Sequence, residues 1–334
     1  MMIDDREKPA RVMIAGTGSY FPERVLTNAE LEQMVDTNDA WIQTRTGMRE
    51  RRIAREDESS SDMGAAAARV AMAEAGVAAD EVDLILVATS TPDMLFPSTA
   101  CLVQSALGAT HALCFDLSAA CSGFLYGLET ARAMMQSGLY RNALVIGSDK
   151  MSAVTDWTDR GTCILFGDGA GAAVLKPTQT HRGIMATVSG ADGSLGDLLM
   201  IPAGGSRMPA TETTVAERKH TVKMAGNNVF KHAVRCMTEA GRDALEKAGL
   251  SAADVKWVIP HQANMRIIQA ISERVEIPMD RIVVNLDRYG NTTAATIPTA
   301  LDEAVRDGRI QRGDVLLFVV FGGGFTWGAM VLEY

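Results

Sequence analysis

Residues 112–124 read ALCFDLSAACSGF, and this stretch decides how the rest of the chain is expected to fold. Its first part is an extended apolar segment, which indicates a strand, and residues 118–120 are suited to a tight turn. From Cys121 to Ser137, apolar residues recur at the three-to-four-residue spacing of one helical face. The pattern therefore predicts a strand, a turn and a helix that begins at Cys121.

A cysteine at a helix N-terminus lies beside free amide hydrogens and the positive end of the helix dipole, and both favour the thiolate. Cys121 is therefore a candidate nucleophile with a lowered pKa. A second interpretation stays open at this point, because unpaired cysteine is among the residue types most often buried in protein cores.

Length, charge and apolar content restrict the class of protein. A chain of 334 residues can bury a large core and admits two domains. Its net charge of -9 disfavours general binding to nucleic acid or anionic membranes, since both depend on a basic surface. Residues 1–8 are charged, unlike a secretory signal, and no apolar run approaches the ~18 residues of a membrane span. We therefore expect a cytoplasmic protein that binds neither nucleic acid nor membrane.

Metal and cofactor motifs are not recognisable in the sequence. The five cysteines are an odd number without a Cys-x-x-Cys pair, which indicates reduced thiols rather than disulfides or a zinc site. Gly16-Thr17-Gly18 lacks the third glycine of a dinucleotide fingerprint, and residues 167–171 (GDGAG) continue into a strand-like run without the lysine of a phosphate loop. We therefore expect no metal and no bound cofactor.

Two phrases of the sequence occur twice and in the same order. Residues 75–83 (AGVAADEVD) are echoed by residues 248–256 (AGLSAADVK), and each phrase lies between a helical stretch and an apolar run. Residues 166–175 (FGDGAGAAVL) are echoed by residues 321–332 (FGGGFTWGAMVL). The repetition predicts an α/β fold made of two duplicated halves, residues 1–177 and 178–334, each with a mostly parallel sheet and helices packed on it in layers.

The second half supplies two polar residues at predicted strand ends. His261 follows the apolar run at residues 257–259 and precedes a predicted helix over residues 263–275. Asn291 lies between a predicted strand, Arg281 to Val284, and a predicted helix over residues 294–305. Ligands of open α/β sheets bind beyond the carboxyl ends of the strands, where Cys121 is also expected.

Together these three residues have the chemistry of thiol-based acyl transfer. A thiol is a nucleophile, an imidazole relays protons, and a neutral amide donates hydrogen bonds to a developing oxyanion. Taken separately, His261 and Asn291 also fit an ordinary buried histidine and a turn residue. The prediction depends on their common position at the ends of strands.

With these motifs in order, the chain resembles the β-ketoacyl-[acyl carrier protein] synthase III family of thiolase-like condensing enzymes. The resemblance runs from about Ile14 to Tyr334. It is carried by GTGSY (16–20), WIQTRTG (41–47), DLSAACSGF (116–124), TDRGT (158–162), HQAN (261–264), GNT (290–292) and FGGGFTWG (321–328). Elongating relatives pair their cysteine with two histidines, and thiolases use a histidine with a second cysteine, so Asn291 points to the initiating class.

The resemblance implies a decarboxylative condensation. Cys121 would accept an acyl group, with acetyl as the expected one, from acyl-CoA, and His261 with Asn291 would stabilise the enolate formed from malonyl-acyl carrier protein. The backbone amides of Cys121 and Gly323 would form the oxyanion hole. CoA thioester enters this reaction as a substrate, and no cofactor is implied.

The resemblance also implies the binding surfaces. CoA would contact Trp41, Arg45, Arg160 and Asn264, and the acidic carrier protein would contact Lys231 and Arg266. Phe96 would reach across a homodimer into the partner's acyl pocket, and residues 196–209 would affect starter length. Trp157 is not expected from the family pattern and would change the packing of CoA near Arg160.

Two alternatives to condensation remain. A cysteine–histidine hydrolase or acyltransferase would use water or another acceptor in place of the malonyl enolate. A thiolase-like binding protein without activity is disfavoured, because the nucleophile, the imidazole and the amide are all present. The sequence does not distinguish acetyl from branched or longer acyl groups, since one methylene changes binding in an apolar pocket by only about 1–3 kcal/mol. It also does not distinguish the initiating enzyme of fatty-acid synthesis from a related condensing enzyme of secondary metabolism that uses another acceptor.

Overall fold

The computed structural model describes residues 11–180 and 183–334, so the charged segment at residues 1–8 lies outside the described part. The strands are β1 (Arg11–Tyr20), β2 (Arg24–Thr27), β3 (Glu50–Ile53), β4 (Leu84–Ala88), β5 (Leu113–Leu117), β6 (Ala143–Asp149), β7 (Gly169–Thr178), β8 (Gly183–Ala191), β9 (Leu199–Met200), β10 (Lys223–Met224), β11 (Trp257–Pro260), β12 (Val315–Gly322) and β13 (Thr326–Glu333). The helices are α1 (Asn28–Leu31), α2 (Asp39–Thr46), α3 (Ser60–Ala75), α4 (Thr99–Leu107), α5 (Gly123–Met135), α6 (Glu212–Ala216), α7 (Gly226–Ala248), α8 (Met265–Val275), α9 (Leu286–Tyr289) and α10 (Thr296–Arg306).

Two large sheets form the framework. The first has the order β1-β7-β6-β4-β5 and the second has the order β11-β12-β13-β8. Helices α5 and α10 lie between the sheets, where Phe124, Leu128, Ile297 and Leu301 pack in one core with residues of both. The residues of α3 pack in a cluster with the first sheet, and those of α7 and α8 pack with the second. The predicted α/β class with layered helices is confirmed.

The predicted duplication is also present in the structure. The first repeated phrase joins α3 to β4, and its echo joins α7 to β11. The second phrase leads into β7, and its echo leads into β13. Both phrases therefore occupy equivalent places in the two halves.

Strand directions differ from the expected, mostly parallel pattern. The pairs β4·β5, β4·β6 and β11·β12 are parallel, whereas β7 and β13 are antiparallel to their neighbours. Only three residues separate β12 from β13, and so short a connection can join only antiparallel strands. The sheets are therefore mixed.

The strand predicted from Arg281 to Val284 is wrong. The segment makes an isolated bridge between Ile282 and Val258, after a 3₁₀ turn at Met279–Arg281. The side chain of Gln262 donates from Nε2 to the carbonyl of Val283 at 3.1 Å and accepts the N–H of Asn285 at 3.0 Å. A buried side-chain amide therefore pairs the backbone groups that a neighbouring strand would have paired.

Cysteine chemistry and membrane-span length can both be checked on the described residues. All five cysteines are free thiols, as predicted, although the sulfurs of Cys101 and Cys114 lie 3.6 Å apart. Within residues 11–180 and 183–334, no helix combines the length and apolar content needed to cross a membrane.

Candidate active site

Cys121 lies where β5 gives way to α5, as the sequence predicts. It occupies a 3₁₀ turn, Ala120–Ser122, and α5 begins two residues later at Gly123. Ala120 has a φ of +46°, in the left-handed region that residues with a side chain seldom adopt. Strained backbone of this kind clusters at functional sites, where the surrounding structure holds a reactive group in place.

His261 directly follows β11 and is held from two sides. Its backbone N–H donates to the carbonyl of Val319 at 2.9 Å, which continues the ladder of the sheet by one residue. Its Nδ1 lies 2.7 Å from Oγ1 of Thr296, at the start of α10. Only 4% of His261 is exposed, so its contacts within the protein determine the orientation of the ring.

Asn291 follows α9 and connects to the first half of the chain. Its backbone N–H donates to the carbonyl of Leu165 at 2.8 Å, and its carbonyl accepts from Gly167 at 3.2 Å. Its side-chain Oδ1 accepts the N–H of Thr293 at 2.9 Å. Because Oδ1 already has a donor, the Nδ2 hydrogens are the ones available to the cavity.

The preceding residue, Gly290, allows this close approach. It has a φ of +67°, and a Cβ atom there would lie 2.8 Å from the carbonyl oxygen of Leu165. That oxygen is the acceptor for Asn291, so a larger residue would push the two segments apart. Glycine at this position keeps the amide in its place.

A buried carboxylate, Asp149, joins the loops around the site. It ends β6 and accepts hydrogen bonds from the N–H of Ser90 at 2.6 Å and the N–H of Ala294 at 3.2 Å. The hydroxyls of Thr89 and Thr293 also donate to it. Asp149 therefore ties the loop after β4 to the segment that carries Asn291.

The expectation that Cys121 has a lowered pKa is wrong. Burial, together with the negative charge of Asp149, raises the pKa of the thiol to about 12. Burial lowers the pKa of His261 to about 3. In the ligand-free protein near neutral pH, the pair is therefore a neutral thiol and a neutral imidazole, because desolvation disfavours both charged forms.

One cavity of about 600 Å³ brings the predicted residues together. Cys121, His261, Asn291 and Gly323 all line it. Much of the remaining wall is apolar and includes Leu165, Phe166, Leu199, Ile201, Val222 and Met224. Of the segment expected to affect starter length, residues 199–201 reach the cavity, and Val222 and Met224 contribute further wall. An apolar wall beside a nucleophile suits an acyl chain.

The glycine-rich turn after β12 packs against the nucleophile. A Cβ atom on Gly322 would lie 2.8 Å from the backbone nitrogen of Cys121 and 3.0 Å from that of Ser122. Gly323 follows at the cavity wall. The turn thus approaches the nucleophile more closely than a residue with a side chain would allow.

The predicted CoA residues gather around the same cavity. Trp41, Arg45 and Asn264 line it, and the guanidinium carbons of Arg160 and Arg45 lie 5.2 and 5.9 Å from the centre of the Trp41 ring. Arg160 also donates to the carbonyl of Asp36 at 2.9 Å. An aromatic ring flanked by guanidinium groups suits an adenine and its phosphates.

Trp157 does not line this cavity. It packs against the core of the second half and donates its indole N–H to the carbonyl of Ser152 at 3.3 Å. Trp157 therefore has no direct position in the site from which it would change the packing of CoA.

Of the two basic residues expected to bind the carrier protein, Arg266 lies at the cavity and Lys231 is exposed on α7. Arg266 lines the cavity and stacks over Phe230, with the guanidinium carbon 5.5 Å from the ring centre. Lys231 is the exposed neighbour of Phe230 on α7. Arg235, on the same helical face, forms an exposed ion pair with Glu239 at 3.0 Å.

Phe96 does not contribute to the cavity of its own chain. It is 84% exposed, as is Leu95 beside it. Phe96 is therefore not a core residue of its own chain. Exposed large apolar side chains in succession are typical of a surface that another protein covers.

Sequence reasoning missed Asp149, Thr293 and Thr296. Asp149 ends a strand that is otherwise apolar except for Ser148, which is a signal that could have marked it as a partnered carboxylate. The two threonines lie within two and five residues of Asn291, but nothing in the local pattern indicates their contacts.

Comparison with known proteins gives matches across the chain. The family described as 3-Oxoacyl-[acyl-carrier-protein (ACP)] synthase III matches residues 115–193, and its C-terminal part matches residues 245–334. The Beta-ketoacyl-[acyl-carrier-protein] synthase III of Desulfitobacterium hafniense (strain DSM 10664 / DCB-2) is 55% identical over 323 residues, which cover 97% of this chain and 98% of the relative.

Solved structures give the same result. The crystal structure of 3-oxoacyl-[acyl-carrier-protein] synthase III from Aquifex aeolicus VF5 is similar with a TM-score of 0.90 and 49% identity, and covers 97% of this chain and 100% of that one. The priming β-ketosynthase of the R1128 polyketide pathway is similar with a TM-score of 0.91 and 37% identity, and covers 100% of this chain and 98% of that one. The similarity therefore extends over both halves.

Proposed function

The chain belongs to the β-ketoacyl-[acyl carrier protein] synthase III family, and from this membership we propose that it catalyses the initiating condensation of an acyl-CoA with malonyl-acyl carrier protein. The products are 3-oxoacyl-[acyl carrier protein], CoA and carbon dioxide, and the reaction is the first condensation of type II fatty-acid synthesis. The observation that carries the proposal is the cavity in which Cys121, His261 and Asn291 meet.

In the first step, the sulfur of Cys121 attacks the carbonyl carbon of the acyl-CoA thioester. The carbon–sulfur bond to CoA breaks, and the proton of the Cys121 thiol ends on the CoA sulfur. Because the resting thiol is neutral, this proton leaves in the course of the attack rather than beforehand. The backbone amides of Cys121 and Gly323 are the proposed donors to the oxyanion of the tetrahedral intermediate.

In the second step, malonyl-acyl carrier protein loses carbon dioxide, and negative charge moves to the oxygen of its thioester. A neutral imidazole and the Nδ2 group of Asn291 donate hydrogen bonds to that oxygen. The resulting carbon nucleophile attacks the acyl group on Cys121, and the carbon–sulfur bond to Cys121 breaks to release the thiolate, which takes up one proton from the solvent to restore the resting thiol. The apolar wall excludes water, which would otherwise hydrolyse the acyl-enzyme.

The same proposal assigns the binding surfaces. Adenine stacks on Trp41, with Arg160 on its other face and Arg45 near the phosphates, and Asn264 contacts the pantetheine arm. The exposed pair Lys231 and Arg266 binds the acidic carrier protein beside the cavity. The substrates require no further cofactor.

Phe96 carries the proposal of a homodimer. Its 84% exposure in one chain fits a side chain that lines the acyl pocket of a partner. The neighbouring strand β5 lies at the edge of its sheet, so the same surface offers unpaired backbone groups.

Incubation with acetyl-CoA and malonyl-acyl carrier protein tests the proposed reaction. Release of labelled carbon dioxide together with 3-oxobutanoyl-acyl carrier protein is expected. Acetate as the sole product would instead indicate a hydrolase, and a Cys121→Ser variant with full condensation would exclude Cys121 as the acyl acceptor.

A further inference from the structure

The hydrogen bond between Thr296 and His261 determines what the imidazole can do. Nδ1 of His261 lies 2.7 Å from Oγ1 of Thr296, and the two residues are only 4% and 1% exposed. Water therefore does not compete at Nδ1. The neutral ring carries one N–H, and the hydroxyl decides which nitrogen holds it.

The hydroxyl of Thr296 has one hydrogen and two acceptors within reach. One is Nδ1 of His261, and the other is the carbonyl oxygen of Thr293 at 2.9 Å. That carbonyl already receives the backbone N–H of Thr296, so it is satisfied without the hydroxyl. Two arrangements pair every one of these buried groups: either the hydroxyl donates to Nδ1, or Nδ1–H donates to the hydroxyl and the hydroxyl donates to the carbonyl of Thr293.

We propose that Thr296 is a positioning residue whose hydroxyl donates to Nδ1 of His261, so that the imidazole presents an Nε2–H to the cavity. The inference rests on the proposed function, because an Nε2–H is needed there as a donor to the enolate oxygen. His261 and the Nδ2 group of Asn291 then supply neutral donors to the same cavity. In this tautomer the ring does not accept the thiol proton, so Thr296 affects decarboxylation more than acylation of Cys121.

Three variants test this assignment. Thr296→Val removes the hydroxyl with little change in shape, and Thr296→Ser keeps it. Thr299→Val is the matched control, because Thr299 is also buried on α10 but its hydroxyl bonds only the carbonyls of Ala295 and Thr296. The two half-reactions are measured separately, as acetylation of Cys121 by mass spectrometry and as carbon dioxide release from malonyl-acyl carrier protein.

Thr296→Val is expected to slow carbon dioxide release by about a hundredfold, as for loss of an oxyanion donor, while acetylation of Cys121 changes little. Thr296→Ser and Thr299→Val are expected to remain close to wild type in both half-reactions. Equal loss of both half-reactions in Thr296→Val, or loss of neither, would overturn the assignment. Failure of the wild-type protein to release carbon dioxide would instead count against the proposed function itself.

Nitrogen NMR gives a second readout that does not depend on turnover. Protein labelled with ¹⁵N at its histidines, with His261 identified by a His261→Ala variant, reports which ring nitrogen carries the hydrogen. We expect Nε2 to be protonated in wild type and Thr296→Ser, and this preference to be lost in Thr296→Val. An Nδ1-protonated ring in the wild type would refute the proposal even if the condensation itself proceeds.

Discussion

Oδ1 of Asn291 accepts the backbone N–H of Thr293 at 2.9 Å, so the main chain fixes which end of this side-chain amide is free. Asn291→Asp keeps the acceptor but replaces the Nδ2 donor with a carboxylate oxygen. We expect carbon dioxide release from malonyl-acyl carrier protein to fall by about a hundredfold or more, because a donor to the enolate is exchanged for a like charge. Acetylation of Cys121, measured by mass spectrometry, is expected to persist.

Asn142→Asp is the control for the change in charge. Asn142 lies at the opposite end of β6 from the site and donates from Nδ2 to the carbonyl of Glu81 at 2.8 Å. This variant should retain decarboxylation. If Asn291→Asp retained it as well, Asn291 would not be the enolate donor.

Cys121 should react with alkylating agents in a manner that reports its raised pKa. The thiolate is the reactive form, and burial raises the pKa of the thiol to about 12. The thiolate fraction of the ligand-free protein is therefore small at pH 7, and alkylation by iodoacetamide should accelerate about tenfold per pH unit up to pH 9 or beyond. Peptide mass spectrometry at each pH follows Cys121 separately from the other thiols.

The alkylation rates of Cys101 and Cys114 are the internal comparison for the rate at Cys121, since both are half-buried thiols on the same chain. A rate at Cys121 that levels off near pH 7 would show that the helix N-terminus lowers the pKa, against the effect of burial. That result would restore the expectation drawn from the sequence.

The sequence predicts what depends on local patterns. Apolar spacing around residues 112–124 correctly places β5, the turn and α5, and the repeated phrases correctly predict two related halves. His261 and Asn291 are predicted from their places at expected strand ends and from the family resemblance, although the strand expected before Asn291 is only an isolated bridge. The strand, turn and helix need only neighbours along the chain, whereas the duplication needs a comparison of distant segments.

What the sequence does not predict depends on contacts between distant residues. The pKa of Cys121 is raised because α5 is buried between two sheets, whereas the local rule considers only the helix N-terminus. Two hydrogen bonds likewise depend on how separate segments of the chain meet. The N–H of Ala294 donates to the carboxylate of Asp149, and the side-chain amide of Gln262 donates to the carbonyl of Val283. In each bond a side chain pairs with a backbone group, and such a contact produces no periodic pattern in the sequence.

Gly322 should not tolerate a side chain. A Cβ atom there would meet the backbone nitrogens of Cys121 and Ser122 at 2.8 and 3.0 Å. Gly322→Ala is therefore expected to lower the free energy of unfolding by about 1–3 kcal/mol, as for overpacking, and to slow acetylation of Cys121. Chemical denaturation and the acetylation rate measure the two effects.

Gly193→Ala is the matched control, because a Cβ atom at Gly193 has no heavy atom within 4 Å and the backbone there needs no positive φ. It should leave both stability and acetylation near wild type. A Gly322→Ala protein with wild-type acetylation would mean that the turn can move away from Cys121 without consequence.

Trp41 should contribute to binding of the nucleotide part of CoA and not to the chemistry. The ring is flanked by Arg160 at 5.2 Å and by Arg45 at 5.9 Å. Trp41→Ala should raise the KM for acetyl-CoA by about 5- to 150-fold, the range expected for loss of a base-stacking contact worth about 1–3 kcal/mol. Steady-state kinetics with saturating malonyl-acyl carrier protein measure this change.

Acetyl-pantetheine serves as the control substrate, because it has the thioester but lacks the nucleotide. Wild type and Trp41→Ala should use it equally well. An equal loss with both substrates would place the effect of Trp41 in the acyl site or in stability, and would remove the ring from the proposed adenine site.

Arg266 should bind the acidic carrier protein through its charge. It is exposed at the edge of the cavity beside Lys231, whereas the nearby Arg235 is paired with Glu239. Arg266→Glu is expected to raise the KM for malonyl-acyl carrier protein at least several-fold, most strongly at low ionic strength, because added salt screens exposed charges. Arg141→Glu makes the same charge change at the opposite end of β6 from the site and should leave this KM unchanged. Acetylation of Cys121 from acetyl-CoA should be similar in all three proteins, and a parallel loss of acetylation in Arg266→Glu would contradict a role confined to the carrier protein.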